Sequence, residues 1–196
     1  MAGTAKTPRA AALILGAALA LVGCNDNSGD SAPTPSSTKE PATTAAATTS
    51  KDSEAAIWNP CDIPDSAISA LGLNTASKDT TVAGVDPTGW KVCGWLSAAK
   101  SYNFGVLSSE HTLEESRQRT DYVDYVSTTV GSRTALQFRP RGATHDQTCW
   151  LAVEVPHGIV DFKVMNRSGT VGASAGEPCA EVRRLTEALA QYLPER

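Results

Sequence analysis

Cys149-Trp150-Leu151-Ala152-Val153-Glu154-Val155 and Ile159-Val160-Asp161-Phe162-Lys163-Val164-Met165, joined by Pro156-His157-Gly158, are the stretch that decides the fold. In the first arm Cys149, Leu151, Val153 and Val155 alternate with Trp150, Ala152 and Glu154. In the second, Val160, Phe162 and Val164 share one face. A period of two marks a strand, because successive side chains point to opposite faces of a sheet. The short turn between the arms folds the second back antiparallel to the first.

The same pattern extends outward. Thr134 to Arg139 alternates, with Leu136 and Phe138 on one face. Trp90 to Leu96 and Tyr102 to Leu107 flank a polar turn and read as a second hairpin. Three helical stretches frame these strands. Ile63 to Leu71 carries Asp62 or Ile63 near its cap, Pro64 in its first turn and Gly72 at the C′ position. Thr112-x-x-Glu115 has the spacing of a capping box and predicts a helix running to about Val126. From Pro178 to Leu193 an apolar stripe of Val182, Leu185, Leu189, Tyr192 and Leu193 has helical spacing. Helix, two or three strands, helix, three strands, helix is the order of an α+β fold. It predicts a twisted, mainly antiparallel sheet of five or six strands, helices packed on one face, and two disulfide staples.

The 196 residues are 41% hydrophobic and 19% charged, with a net charge of -4. That balance suits a folded domain and disfavours a nucleic-acid partner held by phosphate contacts. Ala10 to Val22 is an apolar run of 13 residues behind Lys6 and Arg9. A span of the hydrocarbon core needs about 20 residues, so the run fits an export signal. Its end, Leu21-Val22-Gly23-Cys24, resembles the bacterial lipobox. In such signals the cysteine sulfur takes a diacylglycerol and the peptidase cuts before it. Residues 1–23 are thus expected to be a lipoprotein signal peptide and Cys24 the acylated N-terminus. Removing Lys6 and Arg9 takes the net charge from -4 to -6, so two acyl chains, not head-group attraction, would hold the chain on the bilayer.

Between Cys24 and Ile57 no large apolar residue appears. Residues 24–56 are rich in Ser, Thr, Pro and Ala and bury too little surface to offset ordering entropy. They predict a disordered tether spanning ~30 Å root-mean-square, a composition that fits an O-glycosylated stalk and a bare linker alike. Residues 57–196 are the expected single globular domain.

Four cysteines remain after Cys24: Cys61, Cys93, Cys149 and Cys179. An even number in an exported chain points to disulfides. Three pairings are possible. Cys61–Cys93 with Cys149–Cys179 is preferred, since each then ties a helix end to the sheet. A Cys₄ metal site is disfavoured because no Cys-x₂₋₄-Cys pair is present.

Nothing in the chain spells out a catalytic constellation, and neither a cofactor nor a metal is expected. His111, His145 and His157 lack partners at ligand spacing and read as surface or turn residues. Arg133, Arg139 and Arg141 would grip an acidic ligand if they converged, but scattered solvated charges are the simpler reading. Glu114-Glu115, Asp121/Asp124 and Glu177/Glu181 fall in first turns or on exposed faces of the expected helices. Arg167 to Gly176 has no phosphate-loop lysine and reads as a strand-to-helix connection rather than a binding loop. Trp58, Trp90, Trp95 and Trp150 read as core, with Trp95 and Trp150 close enough to cysteines to pack on disulfides and Trp58 the most exposed.

Asn59-Pro60-Cys61 ahead of Leu71-Gly72-Leu73, then Cys93-Gly94-Trp95, Cys149-Trp150-Leu151-Ala152-Val153 and Glu177-Pro178-Cys179 resemble, in order, the DUF3558 family of actinobacterial lipoproteins. The resemblance implies an exported, lipid-anchored, disulfide-bonded domain and carries no catalytic residues. The functional expectation is a non-enzymatic binding or accessory module of the cell envelope. It would contact the bilayer through its acyl groups and a protein, glycan or lipid through its domain. The alternative is an envelope-acting hydrolase with a site assembled from distant residues.

Overall fold

The computed structural model describes residues 57–82, 84, 87–167 and 176–195. All lie in the compact unit Thr43–Arg196. The expected signal peptide, Cys24, the tether and most of the Arg167 to Gly176 connection fall outside the described residues.

Seven strands make one antiparallel sheet: β1 (Leu73–Asp79), β2 (Trp90–Ser97), β3 (Tyr102–Ser109), β4 (Tyr122–Val130), β5 (Arg133–Pro140), β6 (Thr148–Val155) and β7 (Gly158–Asn166). Their order is β1-β2-β3-β7-β6-β5-β4. Two meanders, β1 to β3 and β4 to β7, therefore meet where β3 pairs with β7. The arms that anchor the sequence reading are β6 and β7, in register from Thr148 opposite Met165 to Val155 opposite Gly158.

Alternation divides the side chains between two faces. On the first, Trp95, Phe104, Val106, Leu151, Val153, Val160, Phe162 and Val164 are buried. Trp95, Phe104 and Phe162 form a row with ring centroids 6.3 and 6.2 Å apart. Two helices cover this face: α1 (Asp65–Ala70), through Ile68, and α3 (Pro178–Leu189), through Val182, Leu185 and Leu189. The Glu177 side chain caps α3 by accepting from the Ala180 N–H at 2.6 Å. Leu71 closes α1, followed by Gly72 at φ +78°, the left-handed C′ residue that its sequence predicts.

Cys61–Cys93 joins the 3₁₀ turn Pro60–Asp62 to β2, and Cys149–Cys179 joins β6 to the start of α3. The preferred pairing is the one present, and each bridge ties a helix end to the sheet.

Three expectations are corrected. The sheet has seven strands, not five or six. The capping box at Thr112 and Glu115 is formed in full, but its helix α2 (Leu113–Gln118) ends eight residues before Val126. The rest of the expected helix is β4, because Tyr122-Val123-Asp124-Tyr125-Val126-Ser127-Thr128-Thr129-Val130 is aromatic and β-branched. Asp121 and Asp124 accordingly precede and join a strand, not a helix. Last, the helices are not all on one face. The chain leaves β3 in the middle of the sheet and re-enters at its far edge, so the connection must cross the second face, and it carries α2 there.

Candidate functional site

The second face is where the apolar pair that the sequence marks on β5, Leu136 and Phe138, lies. Leu136, Phe138, Ala152 and Ile159 are buried on it, packed with Leu113, Tyr122, Tyr125 and Trp150. Trp150 belongs to this face because it alternates with Cys149, so it points away from the disulfide it was expected to cover. Phe138 and Trp150 stack with centroids 6.1 Å apart, and Tyr122 meets both edge-on at 4.8 and 5.9 Å. A bulge between Val123 and Val126, with Asp124 at φ +57°, lets Tyr122 and Tyr125 both reach this face. Tyr125 Oη lies 2.9 Å from the Ser116 and Arg119 carbonyl oxygens and pins the end of α2 to β4.

Between α2 and the strands lies a cleft of about 490 Å³, within the usual size of a small-molecule site (~300–1,000 Å³). Its floor is Leu107, Ile159, Asp161, Phe138 and Trp150; its walls are Trp90, Tyr122 and the α2 side of the crossover. His111 stands 5.3 Å from the Trp90 ring and 3.5 Å from the Glu115 carboxylate. Glu115 is held below the usual carboxylate range, first by the Thr112 backbone N–H and then by its hydroxyl. Ser116 Oγ donates back to the Thr112 carbonyl at 3.1 Å.

Asp161 decides the character of the cleft. It sits in mid-sheet on β7, between Leu107 of β3 and Ala152 of β6, and is only 5% exposed. Its Oδ1 is buried without a hydrogen-bond partner, and so is the Trp150 Nε1. Burial pushes the Asp161 carboxyl up to about 7, against a smaller opposing pull from Arg119. Arg119 is itself committed to Asp121 by two hydrogen bonds of 3.1 and 2.7 Å, and its guanidinium lies 4.5 Å over the Tyr122 ring. Lys163, two residues along on the same face, stands 5.1 Å over the Trp150 ring, and burial pulls its ammonium below the ordinary lysine range.

The other residues singled out by sequence do not converge. His145 is exposed, 3.9 Å from Asp124. His157 sits in the β6–β7 turn beside a separate depression that Trp58 also lines; Trp58 is half-buried against the first-face core, not exposed. Each arginine of the candidate trio serves the fold instead. Arg133 donates to the Pro194 carbonyl, Arg139 bonds Glu177 at 2.6 Å, and Arg141 donates to the Thr120 carbonyl at 2.7 Å. Glu181, the partner of Glu177 in sequence, accepts from Tyr102 Oη and from Arg184, both at 2.6 Å. Among the described residues no three His, Cys, Asp or Glu side chains gather as a metal site.

Of the cleft residues, only His111, Glu115, Trp90 and Trp150 were singled out by sequence, and not as a group. Asp161, Arg119 and Tyr122 were not, and Phe138 was marked only as an apolar residue of its strand. The available signal was an acid inside the apolar run Ile159-Val160-Asp161-Phe162, since an acid in mid-strand is rarely buried without a reason.

No curated protein and no solved structure matches the chain. The family described as "Protein of unknown function (DUF3558)" matches residues 19–192, which takes in the expected lipidation site, the tether, both disulfides and every residue of the cleft. The chain therefore belongs to the DUF3558 family.

Proposed function

We propose that this protein is a membrane-anchored extracytoplasmic lipoprotein whose domain is a binding module. Diacylglycerol on Cys24 holds it on the outer face of the cell membrane, residues 25–56 tether it, and the second face of the sheet receives a small ligand. The observation that carries the binding reading is the Asp161 Oδ1, buried at the bottom of an aromatic cleft with no protein partner. An unsatisfied buried acceptor costs ~1–3 kcal/mol, and a ligand that donates to it recovers that cost on binding.

A hydrolase reading draws on the same residue, because a carboxyl near neutrality in a cleft has the profile of a general acid or base. Its neighbours favour binding instead. Ser116 is bonded to the Thr112 carbonyl and Glu115 closes the capping box, so both are engaged in holding α2.

A photoreactive amino acid in place of His111 tests the binding reading in live cells, with the same residue in place of exposed Glu187 on α3 as control. A recurrent adduct of defined mass at position 111 and none at 187 is the expected result. Identical patterns at the two positions, or no adduct at 111, would overturn it.

A further inference from the structure

We infer that the cleft takes an organic ammonium ligand, its N–H donated to the Asp161 carboxylate and its apolar body lying among Trp90, Tyr122, Phe138 and Trp150; this rests on reading the cleft as a binding site. Three features of the cleft point to a cation. First, its bottom is an acid lacking a counter-ion of its own. Arg119 pulls on Asp161, but that guanidinium is neutralised by Asp121, and the Lys163 ammonium on the same face lies over the Trp150 ring, not hydrogen-bonded to Asp161. Second, the acid at the lip, Glu115, is ionised and exposed, so two acids stand in the lining, while its arginine is paired to Asp121 and the nearby Lys163 is engaged over the Trp150 ring. Third, the walls are rings whose faces attract positive charge. Two of them already do so within the protein, Tyr122 toward Arg119 and Trp150 toward Lys163. An anion would meet like charge at both ends of the cleft. A primary or secondary ammonium supplies the missing donor, and a charge-assisted bond in a buried site is the strong kind.

The groups facing Asp161 are His111, Glu115 and Arg119 from the α2 crossover, Tyr122 from β4 and Lys163 from its own strand; the paired positions on β3 and β6 are Leu107 and Ala152. An ammonium must displace the proton that burial keeps on Asp161, so affinity rises with pH until the carboxyl is ionised.

The probes are benzylammonium, 2-phenylethylammonium and 2-(indol-3-yl)ethylammonium, each beside its neutral alcohol isostere. They are titrated calorimetrically into the full chain carrying Cys24→Ala, so that no acyl chain competes for the cleft. At least one ammonium is expected to bind roughly thirtyfold more tightly at about pH 8.5 than at about pH 5.5, the span set by a carboxyl near 7. Its alcohol isostere should show no such rise. Asp161→Asn should weaken the ammonium by roughly 10- to 100-fold and flatten the pH profile. Trp90→Ala should weaken it while leaving the profile intact, a control for general damage. Alcohols binding as well as ammoniums, or ammonium binding unchanged in Asp161→Asn, would overturn the cation while leaving a binding cleft. Failure of every ammonium to bind would overturn the inference outright, and the cell-based adduct at position 111 would still decide the binding reading.

Discussion

Burial holds a proton on Asp161 up to about pH 7, whereas the same carboxyl in the unfolded chain releases it near pH ~3.9. Between those values the folded state binds a proton that the unfolded state has lost. The contribution is therefore full below about pH 4 and is lost as pH rises through about 7. Asp161→Asn removes the charge and keeps the shape. At about pH 8 the variant should be more stable than the parent by up to ~4 kcal/mol, and the gap should shrink toward about pH 4. Urea unfolding of both proteins at the two pH values reads this as a difference, in which the other carboxylates cancel; equal stability at about pH 8 would contradict it. On the first face, Leu185 is fully buried under α3. Leu185→Ala should cost ~2–5 kcal/mol by the same measurement. Leu185 was plain in the sequence because its stripe repeats at helical spacing. Asp161 was not, because alternation assigns a residue to a face and leaves open whether that face is covered.

The cover depends on a short element and a misread one. The helix α2 has six residues, too few to persist without its cap and its tertiary contacts. Thr112 accepts from the Glu115 N–H at 3.1 Å, while Glu115 accepts from the Thr112 N–H at 2.7 Å. Thr112→Ala should cost ~1 kcal/mol and speed hydrogen exchange across residues 113–119, leaving α3 unchanged. The capping box was legible in sequence, and its position held. Its length was not, because a cap fixes where a helix starts, while the stop here comes from the β-forming run after Asp121. The hairpin was legible to within a residue, with Gly158 opening β7 and not closing the turn, and the structure adds why glycine stands there. Its φ is +124°, and a Cβ would lie 2.0 Å from the Ser109 carbonyl oxygen. The turn thus presses on the end of β3, where the two meanders meet. Gly158→Ala combines backbone strain with an overlap onto main chain. It should cost at least ~2 kcal/mol and lower the thermal midpoint more than any other alanine substitution in that turn.

For the whole molecule, the two disulfides close loops with sequence separations of 32 and 30 residues, one in each meander. On the chain-entropy model each stabilises by ~3–4 kcal/mol, so the paired change Cys149→Ala and Cys179→Ala should lower the unfolding free energy by about that amount. The pairing was legible from element positions alone. The crossover that builds the cleft was not, because strand order is a property of the assembled sheet and neighbouring hairpins do not dictate how two meanders join. The proposed anchor belongs to this scale too, since it would decide where the cleft operates. The most direct test is the mass of the N-terminal peptide from protein extracted out of membranes. The proposal requires a peptide beginning at Cys24 that carries a diacylglycerol thioether. An unmodified Cys24, or a chain still beginning with residues 1–23, would contradict it.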